Sequence, residues 1–476
     1  MIDTQSIRTK ILDLAMRGRL TEQLPEDGTS EELYQQNQEE KQALIKAGKI
    51  KKEKPLPEIT EGEKPFEIPE SWKWVRIGSV FKIEMGQSPE GNSVSNKGDG
   101  IEFHQGKIFF GAKYLNDSGL RTNMPTKIAD ANSVLLCVRA PVGKVNISSR
   151  KICIGRGLCA IAPISNTILL DFLYYALIIC EKAFVDQATG STFAAIGGDI
   201  IKKQLVPLPP LREQKRIVQK VIQVYSALDT IDELQTKYAD NLTVLKSKLI
   251  DAAIQGKLTE QLPEDGTAEE LYQQIQEEKQ ALIKAGKIKK EKPLPEIKKN
   301  EIPFEIPANW KWVRLGDLCK SVMDGDHQPP PQVKDGIPFL VISNISKGLF
   351  DLENVRHVPR DYYDSLTYER TAEFGDILFT VTGSFGIPVI VDIKEEFCFQ
   401  RHIALLKPLL ENEYLYYVLK SGYLQKRCDD VAIGTAQRTV GIKELRKFLI
   451  PLPSLSEQKR IVARLEELLP LCEKLK

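Results

Sequence analysis

Acidic residues and histidines are the side chains of this sequence whose types and spacing could support catalysis. Pro25-Glu26-Asp27 followed by Glu39-Glu40-Lys41 has the order of charges found in some nuclease metal sites, but the first group lies in a predicted loop and the second in a charged helix. Such a charge run is usually a solvated helix face, which is the interpretation we favour. The four histidines, at 104, 327, 357 and 402, lack metal-ligand spacing and are expected at the surface or in turns.

The cysteines and apolar runs indicate the compartment. None of the eight cysteines forms a CxxC pair or has zinc-site spacing, and several lie in apolar runs such as SVLLCV, which predicts buried free thiols in a reducing environment. The N-terminal segment reads as an amphipathic helix without a signal-peptide core, and no run approaches the ~20 apolar residues of a membrane span. We therefore expect a cytoplasmic protein that does not contact a membrane.

Motifs for cofactor and nucleotide chemistry are missing from the sequence. A methyltransferase acting on exocyclic amines would carry an Asn/Asp-Pro-Pro-aromatic tetrapeptide, whereas LPPL and QPPPQ lack the flanking acid or amide and the aromatic residue. No GxxxxGK[ST] phosphate loop occurs. The sequence predicts a chain that is not an enzyme and binds neither a cofactor nor a metal.

Length and composition favour a multidomain globular protein. The 476 residues are too many for a single core, and 42% hydrophobic and 28% charged residues are ordinary proportions. Because the net charge is only +1, a nucleic-acid partner would have to bind local basic patches.

The chain contains a long internal repeat. Residues 20–59 return as residues 258–297 with changes only at Ser30/Ala268 and Asn37/Ile275. The match continues through WKWVR, and PLPPLREQKRIV at 207–218 returns as PLPSLSEQKRIV at 451–462. Between these markers, the two inserts share only short fragments. One chain therefore carries two nearly identical frames around two different inserts.

The repeat is also circular. IRTKILDLAMRGRLTEQL near the N-terminus pairs with LKSKLIDAAIQGKLTEQL from Leu245, and the C-terminal LSEQKRIVARLEELL matches the segment that follows the first insert. If the two terminal pieces met in space, they would rebuild a second copy of the central segment, giving a pseudo-two-fold arrangement. This is a topological prediction.

Apolar periodicity predicts the elements that connect the inserts. From Arg212 to about Gly256, apolar residues recur mostly in steps of three and four, which indicates a long helix with a narrow apolar seam. The terminal helices have matching seams, so we expect antiparallel pairing, with a kink at Pro470. Ser454 and Glu457 have capping-box spacing, and the PLP motifs should end a strand before the helix.

The inserts mix strand-like runs, glycine turns and one clear helix each, at 170–184 and 412–427, and they read as compact α+β domains. The predicted organisation divides the chain into seven segments: an N-terminal helix at 1–24, a repeated helix and tether at 25–65, an insert at 66–210, a central long helix at 211–256, the second repeated helix and tether at 257–303, an insert at 304–453 and a C-terminal helix at 454–476.

This arrangement resembles the specificity subunit of type I restriction-modification systems. The resemblance rests on two variable units, each preceded by Pro-x-x-Trp and followed by PLP-x-L-x-EQ-x-x-I, that are joined by long helices in circular order. It covers essentially the whole chain. Departures from the pattern are Pro470 in the last helix and Ile442 where the first half has Gly198.

The resemblance implies that 66–210 and 304–453 are target recognition domains, each reading one half of a split, asymmetric DNA site. The fold would be α+β, with two globular domains separated by a long antiparallel helical coiled coil. The helices would dock two modification subunits, which bind S-adenosylmethionine and methylate adenine N6 after flipping the base. ATP- and Mg-dependent restriction subunits could join that core.

DNA contacts are then expected on three loop regions of each insert, where side chains can reach bases or phosphates. The candidates in the first insert are Gln87, Ser88, Arg139, Lys144, Ser191, Thr192, Lys202 and Lys203; those in the second are Asp326, His327, Gln328, Thr382, Ser384, Thr435, Gln437, Arg438 and Lys443. Arg139 and Arg438 have the chemistry to bind guanine bidentately, and Gln87 or Gln437 to bind adenine. The competing interpretation is ordinary turns and salt-bridged arginines. The tryptophans of WKWVR and the LYY aromatics are expected in domain cores.

Two other function classes remain open at this stage. One is a structural adaptor whose two domains bind proteins and never contact DNA, which the near-zero net charge favours. The other is a self-sufficient methyltransferase or nuclease.

Overall fold

The computed structural model describes residues 1–52, 54–96, 99–164, 168–189, 194–326, 330–353, 355–435 and 437–474. The chain divides into two compact units, Met1–Gln235 (unit 1) and Thr236–Lys476 (unit 2), and each mixes helices with small sheets. No helix of the described residues is long and apolar enough to cross a membrane.

Unit 1 contains helices at both ends of its sequence and strands between them. Its helices are α1 Thr4–Met16, α2 Ser30–Lys46, α3 Ile77–Val80, α4 Leu170–Ile179, α5 Glu181–Asp186, α6 Gly198–Lys203 and the start of α7 Leu211–Ile254. Its strands are β1 Lys73–Arg76, β2 Phe81–Met85, β3 Val94–Ser95, β4 Ile101–His104, β5 Arg121–Thr122, β6 Ile128–Ala129, β7 Ser133–Cys137, β8 Val145–Ser148, β9 Ile152–Ile154, β10 Leu158–Pro163 and β11 Leu205–Leu208.

Unit 2 follows a similar order after the end of α7, with fewer strands among its described residues and an additional short helix, Arg360–Asp364. Its helices are α8 Ala268–Lys284, α9 Arg360–Asp364, α10 Asn412–Lys420, α11 Gly422–Val431, α12 Ile442–Leu445 and α13 Leu455–Lys474. Its strands are β12 Lys311–Arg314, β13 Cys319–Asp324, β14 Ile337–Leu340, β15 Arg356–Val358, β16 Ile377–Thr380, β17 Pro388–Ile390, β18 Cys398–Phe399, β19 Ile403–Pro408 and β20 Leu449–Leu452. Short 3-10 turns lie at Pro25–Asp27, Glu61–Glu63, Gly91–Ser93, Lys107–Phe109, Pro263–Asp265, Lys299–Glu301, Leu315–Asp317, Ile342–Asn344 and Tyr368–Arg370.

Each unit is built around a four-stranded antiparallel sheet, with strand order β2-β10-β7-β8 in unit 1 and β13-β19-β16-β17 in unit 2. Strand β7 is buried along its whole length because its side chains alternate between two cores. Val134 and Leu136 join the core that contains the helices, whereas Leu135 and Cys137 join the core beneath the smaller sheet. Burial on both faces explains why this strand reads as a continuous apolar run.

The smaller sheets complete each unit. In unit 1 the order is β3-β5-β4-β9-β6, and in unit 2 it is β15-β14-β18. Two-stranded antiparallel ladders, β1 with β11 and β12 with β20, join the beginning and the end of each insert. Pro207 and Pro451 lie inside β11 and β20, where a two-stranded ladder tolerates a missing N–H, and each strand ends one residue later, as the PLP motif predicted.

The long helix was correctly predicted: α7 runs from Leu211 to Ile254 without interruption. In unit 1 its first half pairs antiparallel with α1, since Arg8 contacts Asp229 at 2.7 Å while Thr4 contacts Asp232 at 2.6 Å. In unit 2 its second half pairs antiparallel with α13, since Lys246 contacts Glu473 at 2.8 Å while Thr259, just after α7, contacts Glu457 at 3.0 Å. Because α1 matches the second half of α7 in sequence, and α13 the first, each unit holds one copy of the same helix pair. This confirms the predicted α+β class with a paired long helix and a circular repeat.

A buried carboxylate joins the helix pair to the insert in each unit. The indole Nε1 of Trp72 donates to Glu213 Oε2 at 2.7 Å, and Trp310 donates to Glu457 at 2.8 Å. Burial raises the pKa of Glu213, although hydrogen bonds from Trp72, Gln23 and Thr21 act to lower it. Of the four tryptophans predicted to anchor the cores, Trp72, Trp74 and Trp310 are buried, whereas Trp312 is half-buried.

The Lys/Pro segment predicted as a tether is held against the insert in each unit. Arg76, which is 4% exposed, donates to the carbonyls of Pro57, Glu58 and Lys203 and to the carboxylate of Glu63. Hydrogen bonding from the Thr60 backbone and from Arg76 lowers the pKa of Glu63 to about 2. Arg314 makes the matching contacts in unit 2, with Pro295, Glu296, Lys447 and Glu301.

Several local predictions were wrong. The insert helices are each divided in two: α4 gives way to α5 at Cys180, and Ser421 ends α10 and caps α11 by accepting from Leu424 N at 3.3 Å. The Ser454 hydroxyl accepts from Glu457 N at 3.3 Å, but the Glu457 carboxylate binds Trp310. Among the histidines, His104 is buried rather than exposed: its Nε2 lies 2.6 Å from Glu102 Oε1, and its Nδ1 has no hydrogen-bond partner among the described residues.

Other local predictions hold. All eight cysteines are buried and free. Tyr174 and Tyr175 of the first LYY segment are buried in the core, whereas Tyr416 and Tyr417 of the second are partly buried and pack against the core of unit 2. Pro470 does not end α13, which continues to Lys474, and the kink expected there stays a prediction.

Candidate nucleic-acid interface

Three loops of unit 1 meet at one edge of the four-stranded sheet. Strand β2 ends at Met85, which pairs with Cys159 near the start of β10, and Leu158 of β10 pairs with Cys137 at the end of β7. The residues that follow β2 (86–88), those that follow β7 (138–144) and the β9–β10 turn (155–157) are therefore neighbours. We call this set of loops the loop edge of unit 1.

Glycines allow these loops to approach closely. A Cβ on Gly86 would lie 2.1 Å from the carbonyl oxygen of Gly155, and a Cβ on Gly157 would lie 2.4 Å from the carbonyl oxygen of Gln105. Neither contact is possible for a larger residue, since backbone atoms cannot yield. The close approach brings Gln105, which follows β4 of the smaller sheet, onto the loop edge.

Polar groups on the loop edge are positioned by one another. Ser88 Oγ donates to Gln105 Oε1 at 2.8 Å and accepts from the backbone N–H of Arg156 at 3.3 Å. Gln105 is exposed, and with its oxygen bound by Ser88 its amide N–H groups remain as donors. Gln105, Lys107, Arg139 and Gly157 line a groove of about 210 Å³ at this edge.

Exposed cations on the loop edge and in the groove beside it carry the positive charge that a phosphate backbone requires. Lys107, Arg139 and Arg156 are exposed, and none of them forms a salt bridge with a carboxylate in the described part of unit 1. Lys144 differs, because its Nζ lies 2.7 Å from Glu181. Unpaired exposed cations beside a groove lined by polar groups are suited to contacts with phosphates and base edges.

The sequence-predicted residues of unit 1 are only partly brought together. Gln87, Ser88 and Arg139 lie on the loop edge. Lys202 packs its Cβ over Gly78, near the opposite end of β2, and Lys203 gives its carbonyl to Arg76, so both lysines of α6 lie away from that edge. Ser191 and Thr192 lie outside the described residues.

Unit 2 has an edge of the same construction. Asp324 of β13 pairs with Ala404 of β19, and Thr380 of β16 pairs with Ile403, so the residues after β13, the β18–β19 turn and the residues after β16 are neighbours. We call these loops (325–326, 400–402 and 381–386), together with 433–435 and 437–439, the loop edge of unit 2. Thr382 is bridged to Thr439, as Arg139 is bridged to Ala195 in unit 1.

Side chains on the loop edge of unit 2 differ from those of unit 1. Thr382 is buried, and Thr439 Oγ1 lies 3.2 Å from its hydroxyl, while Ser384, Thr435 and Gln437 are exposed. Arg438 lies over the Phe385 ring at 5.2 Å and contacts Asp429 at 3.1 Å.

The remaining candidates of unit 2 have different surroundings. The Asp326 carboxylate accepts from Tyr362 at 2.6 Å and pairs with Arg370, so it is held within the unit. Lys443 is exposed in the first turn of α12. His327 and Gln328 lie outside the described residues.

Sequence reasoning missed Gln105, Lys107, Arg156 and Arg401. Arg401 lies in the β18–β19 turn of unit 2, as Arg156 lies in the β9–β10 turn of unit 1. A signal was present for the arginines, because Cys153/Arg156 and Cys398/Arg401 have the same Cys-x-x-Arg spacing. In the described residues no group of three or more His, Cys, Asp or Glu side chains could hold a metal ion.

Both halves of the chain are similar to known proteins. A family model described as the type I restriction modification DNA specificity domain matches residues 69–237 and again residues 307–475. The Escherichia coli type I restriction enzyme EcoAI specificity subunit is 29% identical over 540 residues, covering 99% of this chain and 90% of the relative. The EcoEI specificity subunit, also from Escherichia coli, is 26% identical over 545 residues with the same coverage.

A solved structure concerned with complex assembly and conformational transition of the type I R-M system contains a similar fold. Its matching chain has a TM-score of 0.56 at 20% identity, and the match covers 87% of this chain and 93% of that chain.

Proposed function

The chain belongs to the family of type I restriction-modification DNA specificity subunits, and from this membership we propose that it reads a split, asymmetric DNA site while docking two copies of one modification subunit. Specificity subunits are the non-catalytic component of such complexes. The chemistry is assigned to the partners: S-adenosylmethionine and adenine N6 methylation to the modification subunits, and ATP with Mg to restriction subunits where these join. We place the complex in the cytoplasm.

The proposal that two copies of one modification subunit bind is supported by the positions at which the two repeat segments differ in sequence. Segments 20–59 and 258–297 differ only at Ser30/Ala268 and Asn37/Ile275. All four of these side chains are buried, with exposures of 0 to 2%. Every exposed side chain is therefore the same in the two copies, although exposed positions usually tolerate change.

The buried differences adapt each repeat to its own insert. Asn37 donates to the carbonyl of Val80 at 3.4 Å in unit 1, whereas Ile275 joins the apolar core of unit 2. The inner face thus varies with the insert while the outer face stays constant. Constancy on the outside supports recognition of the same surface of the same partner, once in each unit.

The outer face of α2 indicates the chemistry of that partner surface. Its exposed residues include Glu31, Glu32 and Glu39 with several glutamines, against one exposed cation, Lys46, and the same residues recur on α8. Because Glu31 is paired with Lys73, Glu32 and Glu39 carry the negative charge that is unpaired among the described residues. Such an acidic face repels DNA phosphates and attracts basic protein groups. We therefore assign it to the modification subunit.

A charge-reversal experiment tests this assignment. Glu39→Lys or Glu277→Lys alone should reduce the number of modification subunits bound per chain from two to one, and the double variant should bind none, as measured by mass photometry of the assembled complex. Glu395→Lys, an exposed change outside the repeats, is the matched control and should still bind two. A strict one-to-one complex for the wild-type chain would contradict the proposal.

The DNA-reading part has a separate test. Exchanging residues 66–210 for the corresponding domain of another specificity subunit should change one half-site only, which methylation-sensitive sequencing would detect. No selective duplex binding by the assembled wild-type complex at any salt concentration would instead leave the protein-adaptor function standing. Methylation or cleavage of DNA by the isolated chain, given S-adenosylmethionine or Mg²⁺, would support the self-sufficient enzyme.

A further inference from the structure

The two loop edges differ in most side chains, yet one arginine occupies the same position in both. Arg156 lies in a tight turn in which Leu158 N donates to Gly155 O at 3.0 Å, and Arg401 lies in a turn in which Ile403 N donates to Gln400 O at 3.0 Å. Each turn connects the smaller sheet to the central strand of the larger one. The two arginines are therefore at matching positions of matching turns.

The strand beside each turn confirms the correspondence. Val138 N donates to the carbonyl of Gly157 at 3.0 Å, and Val381 N donates to the carbonyl of His402 at 2.9 Å. Both valines come directly after the strand that pairs with the central strand, β7 or β16. The backbone thus carries Arg156 and Arg401 to the same place on each loop edge.

Both arginines are available to a ligand. Each is exposed, and neither forms a salt bridge with a carboxylate in the part of its unit that the structure describes. The Arg401 guanidinium has one intramolecular contact, in which Nε donates to His402 Nε2 at 3.4 Å. A free guanidinium on an exposed turn retains most of its donors.

The neighbours of the two arginines are different. Gly155 and Gly157 flank Arg156, whereas Gln400 and His402 flank Arg401. Across the edge, Arg139 corresponds to Thr382, and Ala194 corresponds to Arg438, since Ala140 N and Gly383 N donate to the carbonyls of Ala194 and Arg438. A residue that reads a base should differ between domains that read different half-sites, while a residue that holds the backbone can be shared.

We propose that Arg156 and Arg401 are phosphate contacts shared by the two target recognition domains, which position each domain on its half-site without reading a base. This inference rests on the proposed DNA-reading function and adds a division of labour to it. The shared arginine supplies sequence-independent affinity, and the dissimilar residues around it supply selectivity.

The experiment measures duplex affinity over a series of salt concentrations, using the full chain assembled with its modification subunits. The duplexes are the cognate site and two versions with one half-site scrambled. Replacing Arg156 or Arg401 by Gln should lower the slope of log affinity against log salt by about one. The affinity should fall by the same factor on all three duplexes, so the selectivity ratios should stay unchanged.

Charge-conserving variants and remote controls separate this role from others. Arg156→Lys should keep the wild-type slope, because an ammonium serves a phosphate as a point charge. Lys151→Gln and Lys394→Gln remove exposed charges that precede β9 and β18 rather than follow them, and they should also keep the slope. Thermal unfolding of each variant verifies that it is folded.

Two results would overturn the inference. An unchanged slope for both glutamine variants would show that neither arginine contacts a phosphate. A selectivity ratio that changes at one half-site would make the arginine a base reader instead. Failure of the proposed function is distinguishable, since it is measured by the selectivity of the wild-type complex rather than by the slopes of the variants.

Discussion

Trp72 donates its indole N–H to Glu213 at 2.7 Å, and this bond links the first residues of the insert to the first turn of the long helix. Glu213 is 1% exposed and also accepts from Gln23 at 2.6 Å. One buried carboxylate thus ties together the segment after α1, the beginning of the insert and the start of α7. The same arrangement around Glu457 explains why Trp and Glu recur at matching places in both halves of the sequence.

Replacing Trp72 by Phe should destabilise the protein by about 1–3 kcal/mol beyond the loss of ring volume, because it removes a hydrogen bond to a buried carboxylate. Trp74→Phe is the matched control: the Trp74 Nε1 is buried and has no hydrogen-bond partner in the described structure, so this change removes ring volume without a hydrogen bond. Denaturant unfolding of both variants measures the difference. Equal destabilisation would refute an energetic role for the Trp72–Glu213 bond.

Replacing Arg76 by Lys should release the Lys/Pro segment that precedes the insert. A lysine cannot serve the carbonyls of Pro57, Glu58 and Lys203 together with Glu63, because it lacks the planar fork of donors. We expect faster cleavage by a lysine-specific protease between residues 49 and 54, located by mass spectrometry. Arg121→Lys, which alters an exposed pair with Asp117, is the control and should leave cleavage at the wild-type rate.

The buried carboxylate of Glu102 should make the stability of unit 1 depend on pH. Burial acts to raise its pKa, but hydrogen bonds from Arg150, Ser118 and His104 lower it to about 2, from an ordinary value of 4.5. A carboxylate with a lowered folded-state pKa stabilises the fold above pH 4.5, and this contribution is lost as the pH falls toward 2. Glu102→Gln should therefore cost up to about 3 kcal/mol at neutral pH.

The cost of Glu102→Gln should shrink steadily as the pH is lowered below 4.5. Unfolding free energies of wild type and variant, measured across this range, provide the test, with the exposed Glu90→Gln as control. A difference between wild type and Glu102→Gln that stays constant with pH would contradict the assignment. His104 also affects how the unfolding free energy of the wild-type protein depends on pH, since burial lowers the pKa of His104.

The architecture could be predicted because its signals are local or repeated. The apolar seam of α7 is a periodicity within one helix. The repeat segments can be recognised because their sequences are nearly identical. Burial on both faces likewise made β7 recognisable as an apolar run. The circular order followed from matching α1 and α13 to the two halves of the long helix, with no need for tertiary information.

The candidate site could be predicted only in part, because long-range pairings assemble it. Gln105 reaches the loop edge through the parallel pairing of β4 with β9, in which His104 lies beside Ile154, and nothing in either segment indicates that pairing. Arg156 and Arg401 are 245 positions apart, whereas the repeat segments are offset by 238, so the insertions hid their correspondence. Lys202 lies away from the other candidates because α6 runs along β2 from Met85 toward Gly78, and a contact of Lys202 with DNA stays a prediction.

Arg139 is the sharpest prediction for base recognition. It is exposed on the loop edge of unit 1, and the matching residue of unit 2 is Thr382, so this position varies between domains while the backbone bridge is kept. Arg139→Ala should relax selectivity at one base pair of one half-site by about 1–3 kcal/mol, which is the range for a bidentate contact to guanine. Binding to duplexes substituted one base pair at a time measures the effect.

Arg139→Lys should relax selectivity almost as much as Arg139→Ala, because a lysine keeps the charge but cannot make two parallel hydrogen bonds to one base. Arg156→Lys, in contrast, should leave binding nearly unchanged. The two lysine variants, measured in the same assay, therefore distinguish a base contact from a phosphate contact. Lys144→Gln is the control on the same loop, since Lys144 is paired with Glu181. If Arg139→Ala weakened binding to every duplex equally, Arg139 would be a second phosphate contact, and recognition by unit 1 would have to rest on other residues, with Gln105 the next to test.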